Sequence, residues 1–236
     1  TIETLLPYYY SNNVYYPKKK DLFNIDFKGK TKIFKHLNKK ISINYLKNKQ
    51  FDLFHPTYFD PYFLKFYEDN FVITIHDMIH ERFPNFLSDK KTKEYKKLLA
   101  LKSKKIIAVS ENTKKDILSF YKEIPEKKIE VVYHATDLTY QESPPIIREP
   151  YILYVGERHT YKNFLFFLSS IKDILIQENI SLVCAGGPPF TKSEIKYSTD
   201  QNIDERIKHV TISSDTGLAN LYHYALAFCY PSLYEG

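Results

Sequence analysis

An α/β fold built on mainly parallel sheets is the class this chain predicts, and three observations lead there. From Phe51 onward, short apolar runs alternate with longer amphipathic ones, the rhythm of β-α units. The apolar runs that hold Cys184 and Cys229 read as interior strands. Five of the six glycines, Gly156, Gly186, Gly187, Gly217 and Gly236, lie in the back half, several directly after such runs.

The first 50 residues are rich in Tyr and Lys with weak periodicity; Lys32 to Lys47 fits one or two helices. Strands are then expected at Phe51 to Phe54, Phe71 to Ile75, Lys105 to Val109 and Ile129 to Val132. Helices are expected at Ser88 to Lys102 and Glu111 to Tyr121, the second capped by Ser110 or Asn112. Pro144, Pro145 and Pro150 mark residues 143–150 as a linker between a front domain, 1–142, and a back domain, 151–236.

The back domain repeats the alternation. Strand Tyr151 to Val155 leads to helix Phe164 to Gln177, and strand Ser181 to Ala185 to a polar helix near Lys192 to Tyr197. Strand Ile207 to Ile212, helix Gly217 to Ala225 and strand Leu226 to Tyr230 complete it. Phe164, Phe167, Leu168, Ile171 and Leu175 fall on one helical stripe, which is core.

Composition excludes several classes. At 43% hydrophobic and 26% charged, the chain is globular and not disordered. Cys184 and Cys229 sit in separate apolar runs, so no disulfide framework is expected, and no Cys/His spacing suits zinc. There is no secretory apolar segment and no stretch long enough to cross a bilayer, which points to the cytoplasm.

The net charge of +6 comes with lysine clusters at Lys18 to Lys20 and at Lys90, Lys91, Lys93, Lys96, Lys97, Lys102, Lys104 and Lys105. A solvated helix face explains these, and so does an anionic membrane surface, which would place the protein peripherally on the inner face. Nucleic acid is not an expected partner, because no nucleic-acid-binding motif accompanies the charge.

The residues that could carry chemistry sit at strand ends, where open α/β sheets bind ligands. Gly156 follows a strand, with Arg158 and Lys162 just before a helix start, and an Arg fork with a Lys point charge suits a diphosphate. A solvated basic loop accounts for them equally simply. His76 ends another strand. It could merely cap that strand through Asp77, and its spacing to His80 also fits a helix-borne metal pair, although the run before it is of strand type. Glu235, in Pro231-Ser-Leu-Tyr-Glu-Gly236, could be no more than a helix-start carboxylate.

Taken in order, the segments Tyr151-Ile-Leu-Tyr-Val-Gly156, Lys162-Asn163, Leu182-Val-Cys-Ala-Gly-Gly187, Leu218-Ala-Asn-Leu-Tyr222 and Pro231-Ser-Leu-Tyr-Glu-Gly236 resemble the C-terminal domain of glycosyltransferase family 4. Its members are retaining enzymes of the GT-B fold. Phe51-Asp-Leu-Phe-His55-Pro56, Val72-Ile-Thr-Ile-His76-Asp77, Ala108-Val-Ser110-Glu-Asn112 and Val131-Val-Tyr-His134-Ala-Thr-Asp137 resemble its N-terminal domain and crossover. The resemblance covers Phe51 to Gly236 and implies two Rossmann-like domains, both incomplete here. Three parts of the family pattern are missing: the initial strand, its glycine-rich loop and the second glutamate of the paired-glutamate motif. The chain is therefore expected to be a fragment.

The resemblance implies that Arg158 and Lys162, beside Gly156, neutralise the diphosphate of a nucleotide-sugar donor. It puts Glu235 and Gly236 beside the transferred sugar, the loop at Gly186 and Gly187 near the nucleobase, and His76 facing the sugar. His55 and His134 are expected to line or satisfy polar surroundings without catalysing. The implied activity is metal-independent, retaining transfer of a hexose to a glycan or lipid-linked acceptor in surface polysaccharide synthesis, with mannose, glucose and N-acetylhexosamine as candidates. No cofactor is implied. A sugar-nucleotide epimerase of the same fold, and a non-catalytic nucleotide-sugar binder or membrane-docking protein, are the alternatives.

Overall fold

The computed structural model describes residues 29–48, 51–68, 70–85, 89–158 and 160–236, so Lys18 to Lys20 lie outside the described residues. It is an α/β protein with two separate parallel sheets in two compact units. One unit carries most described residues up to Tyr133, and the other runs from His134 to Glu235.

In the first unit the elements are α1 (Lys30–Asn48), β1 (Val72–Ile75), α2 (Ile79–Arg82), α3 (Lys90–Lys102), β2 (Lys105–Ala108), α4 (Glu111–Phe120) and β3 (Ile129–Val131). The three strands pair in parallel in the order β1-β2-β3, with Val72 opposite Lys105 and Ile106 opposite Ile129. Side chains alternate along them, so Ile73, Ile75, Ile106, Ala108 and Ile129 enter a core shared with Leu46, Phe63, Leu99 and Ile117. The strand expected at Phe51 to Phe54 reduces to one bridge, Phe54 with Phe71. Its aromatic rings pack at steep angles on Phe63 and Tyr67 and bury area without a ladder.

Helix starts follow local capping chemistry. Asp89 accepts from the Thr92 amide at the head of α3, and Ser110 from the Thr113 amide at the head of α4. Lys96 departs from the basic face with which the sequence groups it, being 1% exposed. Its ammonium donates to Glu81 at 2.9 Å and to the Asp77 carbonyl at 3.1 Å, while Tyr121 donates to the other Glu81 oxygen at 2.7 Å. Lys97 and Lys102 pair with Glu123 and Glu68.

The second unit holds β4 (Tyr151–Val155), α5 (Phe164–Gln177), β5 (Ser181–Ala185), α6 (Lys192–Asp200), β6 (Ile207–Val210), α7 (Asp215–Tyr224) and β7 (Ala227–Phe228). Its sheet order is β6-β5-β4-β7, all parallel. Both faces of the central strands β4 and β5 are covered. Ile152, Tyr154, Leu182 and Cys184 pack under the α5 stripe of Phe164, Phe167, Leu168, Ile171 and Leu175, while Tyr151, Leu153, Val183 and Ala185 pack with Leu221 of α7. That two-sided burial is why these strands read as unbroken apolar runs. Burial also pushes the Cys184 thiol up to about 12, so it acts as a hydrophobe.

The proline-rich stretch read as a linker is held against α7. Asn220 accepts from the Ile146 amide and donates to Ser143 Oγ and to the Pro144 carbonyl, and the Tyr224 hydroxyl donates to the Ser143 carbonyl.

Candidate functional site

In the second unit β4 and β5 end side by side, and both exits turn on glycine. The Gly156 amide donates to the Ala185 carbonyl and the Gly186 amide to the Val210 carbonyl, each at 2.9 Å, extending the ladder one step past the strands. Gly187, at φ 65°, then crosses so close to the β4 exit that a Cβ would stand 2.6 Å from the Gly156 oxygen. Only glycine fits there.

After Gly156 the chain passes Arg158 into a 3-10 turn, Thr160–Lys162, and Asn163 enters α5 from a left-handed conformation at φ 57°. The Pro231–Glu235 segment lies along that turn. The Leu233 amide donates to the Tyr161 carbonyl at 2.8 Å, and Asn163 Nδ2 donates to the Pro231 carbonyl at 3.3 Å.

Held this way, Lys162 Nζ donates to both Glu235 oxygens at 2.8 and 2.9 Å and to the Tyr230 hydroxyl at 2.7 Å. Burial works against the ammonium, but its hydrogen bonds with Glu235 and Tyr230 outweigh that and hold it above the ordinary lysine value. The Lys162 side chain is 13% exposed and that of Glu235 is 38%, so the pair is anchored at its base and open at the carboxylate. A cation fixed beside a strand exit, with a carboxylate within hydrogen-bond reach, can bind an anion and orient a polyhydroxy group next to it. Gly236 follows directly at φ 120°.

Arg158 lies on the same connection but makes other contacts. Its Nε donates to Glu194 at 2.9 Å and its Nη2 to the Pro188 carbonyl at 2.6 Å. The guanidinium centre is 4.6 Å from the Phe190 ring and 5.7 Å from the Phe164 ring. None of its hydrogen bonds goes to Glu235 or Tyr230.

In the first unit, His76 is exposed at the carboxyl end of β1, and its carbonyl accepts from Thr113 Oγ1 at 3.2 Å. Asp77 caps the start of α2 by accepting from the Ile79 amide. His55 Nε2 meets Thr74 Oγ1 at 3.0 Å; burial first, and then the charge of His76, lower its pKa. His134 lies on irregular backbone beyond β3.

The structure therefore brings Lys162 and Glu235 together, with the Gly156 and Gly186–Gly187 turns on neighbouring strand exits. Sequence reasoning did not single out Tyr230, Glu194 or His209. Thr191-Lys-Ser-Glu194 spells a capping box and would have flagged Glu194 as the start of α6, where the box is formed. Nothing local marks Tyr230 or His209.

Two family models match, Glycosyltransferase Family 4 over residues 23–140 and Glycosyl transferases group 1 over residues 139–236. The chain belongs to glycosyltransferase family 4. Solved glycosyltransferases share its fold, the GT-B type with two Rossmann-like halves. A glycosyltransferase from Rickettsia africae ESF-5 is 20% identical with a TM-score of 0.58, covering 89% of this chain and 59% of that one. WaaG, a glycosyltransferase involved in lipopolysaccharide biosynthesis, is 13% identical at 0.62, covering 91% and 60%. A point mutant of S. aureus TarM, solved with Fondaparinux, alpha-GlcNAc-glycerol and UDP, is 16% identical at 0.55, covering 76% and 37%. This family 4 chain thus spans about 59%, 60% and 37% of those three. No curated protein matches it in sequence.

Proposed function

We propose that this chain carries the donor-binding half of a retaining glycosyltransferase, which moves a hexose from a nucleoside diphosphate to a glycan or lipid-linked acceptor in surface polysaccharide synthesis. The observation that carries the reading is the Lys162 ammonium, fixed at the β4 exit and bonded to Glu235 and Tyr230. A departing diphosphate gathers negative charge, and a preorganised cation stabilises it as the charge develops. Glu235 orients the sugar, and the glycine turns at Gly156 and Gly186–Gly187 let backbone amides approach the donor without Cβ interference. His76 has its proposed sugar-contacting role from its place at the carboxyl end of β1.

In this reading the attacking hydroxyl and the leaving diphosphate share one face of the sugar, so no protein nucleophile enters, and the Lys162 ammonium supplies the positive charge beside the leaving group. Family membership and the UDP present in the TarM mutant crystal support a nucleotide donor. The proposed setting is the cytoplasmic face of a membrane, with the exposed Lys90 and Lys91 as the anionic-lipid contact.

Full-length protein incubated with a panel of nucleoside diphosphate sugars and candidate acceptors should release nucleoside diphosphate and form a product that keeps the anomeric configuration. Interconversion of donor sugars without acceptor, or binding without turnover, would contradict the assignment.

A further inference from the structure

We propose that Arg158 and Glu194 act as one buried pair that fixes the loop Gly186–Phe190, so that Arg158 serves the donor by positioning this loop and does not itself touch phosphate. The proposal rests on the donor-site reading above and deepens it. Three consecutive carbonyls of this loop accept from side chains. His209 Nε2 stands 3.2 Å from the Gly186 oxygen and 3.3 Å from the Gly187 oxygen, which puts its proton on that nitrogen, and Arg158 Nη2 reaches the Pro188 oxygen at 2.6 Å. Pro188 and Pro189 have no amide hydrogen, so at those two positions the loop cannot anchor itself by donating backbone hydrogen bonds.

Phe190 continues the restraint by placing its ring over the guanidinium on one side and packing edgewise with His209 on the other. Glu194 supplies the fixed end. One of its oxygens accepts Arg158 Nε, and the other accepts the Thr191 amide at 2.6 Å and the Thr191 hydroxyl at 2.8 Å. The carboxylate is therefore tied to the first turn of α6 before it meets the arginine.

Arg158 is 5% exposed, and its remaining nitrogen, Nη1, is enclosed without a hydrogen-bond partner among the described residues. A phosphate oxygen could reach it only after the loop had moved. The buried charge depends on Glu194 for compensation, and removing that carboxylate leaves the guanidinium with strong reason to leave the pocket and release Pro188. Lys162, paired with Glu235 on the other side of the connection, is thereby assigned the direct phosphate contact.

Hydrogen exchange on the ligand-free full-length protein tests the positioning role. Arg158→Lys and Glu194→Gln should both speed exchange at residues 186, 187 and 190–192 by about tenfold or more, and Glu194→Asp less. Unchanged exchange in both variants overturns the proposal. Calorimetry with uridine, UMP and UDP, and with the guanosine series, tests the consequence. Both variants should weaken nucleoside, monophosphate and diphosphate by the same factor, roughly tenfold, and the double variant should be no worse than either alone. A loss in Arg158→Lys that grows with each phosphate and is absent in Glu194→Gln makes Arg158 a direct phosphate ligand and overturns it. A wild type that binds none of these nucleotides overturns the donor reading and the functional part of this proposal, and the exchange experiment then decides the structural part alone.

Discussion

Lys162 and Glu235 lie 73 residues apart in sequence and form a two-pronged ion pair, with Tyr230 as a third partner of the same ammonium. The Glu235 carboxylate takes up hydrogen bonds of the Lys162 ammonium that a bound anion would also use. Under the proposed function, Glu235 and a donor diphosphate would compete for Lys162 hydrogen bonds.

That competition fixes the sign of one substitution. Glu235→Gln removes the negative charge that occupies Lys162, so affinity for a nucleoside diphosphate should hold or tighten. Sugar transfer should fall by about 100-fold or more, because the group proposed to orient the sugar is lost. Calorimetry and product assay on the same preparation separate the two effects.

Gly187 gives a prediction about shape. A Cβ 2.6 Å from the Gly156 oxygen, on backbone at φ 65°, forces the loop away from the β4 exit. Gly187→Ala should cost about 1–3 kcal/mol in urea unfolding and raise the donor KM more than it lowers kcat.

In the first unit, Lys96 and Glu81 have side chains 2% and 5% exposed, so either one alone would be an uncompensated buried charge. Lys96→Met should cost about 3–5 kcal/mol by chemical denaturation. Tyr121→Phe removes only one hydrogen bond to Glu81 and should cost about 1–3 kcal/mol.

Acid should loosen the second unit through Glu194. Burial opposes its charge, but hydrogen bonds from Thr191 and Arg158 and the arginine's charge outweigh it, so its folded pKa lies below the ordinary 4.5. Its contribution to stability is present above that value and is lost as pH falls through the folded pKa. Wild-type thermal stability should drop more steeply than that of Glu194→Gln below pH 4.5, and parallel curves would contradict this.

Much of this was legible in the sequence because the signals were local. The α5 stripe, the two-sided strands β4 and β5 and the Ser110 cap follow from periodicity and capping chemistry, and the structure places all of them within a residue or two of expectation. Phe51 to Phe54 misled because aromatic and apolar runs serve a packed cluster as well as a strand. Lys96 misled because a lysine pattern shows charge but not the carboxylate that lets one member go inside. The partners of Arg158 and Lys162 were hidden for the same reason. Ion pairs between residues 36 and 73 positions apart are set by tertiary packing, which leaves no mark on either local segment.

The most direct test is isothermal titration of full-length wild type and Lys162→Met with UDP and GDP against uridine and guanosine. If Lys162 carries the diphosphate, the substitution weakens the preferred nucleoside diphosphate by about 10- to 100-fold and leaves the matching nucleoside unchanged. Equal affinity of the two proteins for the diphosphate would contradict the account.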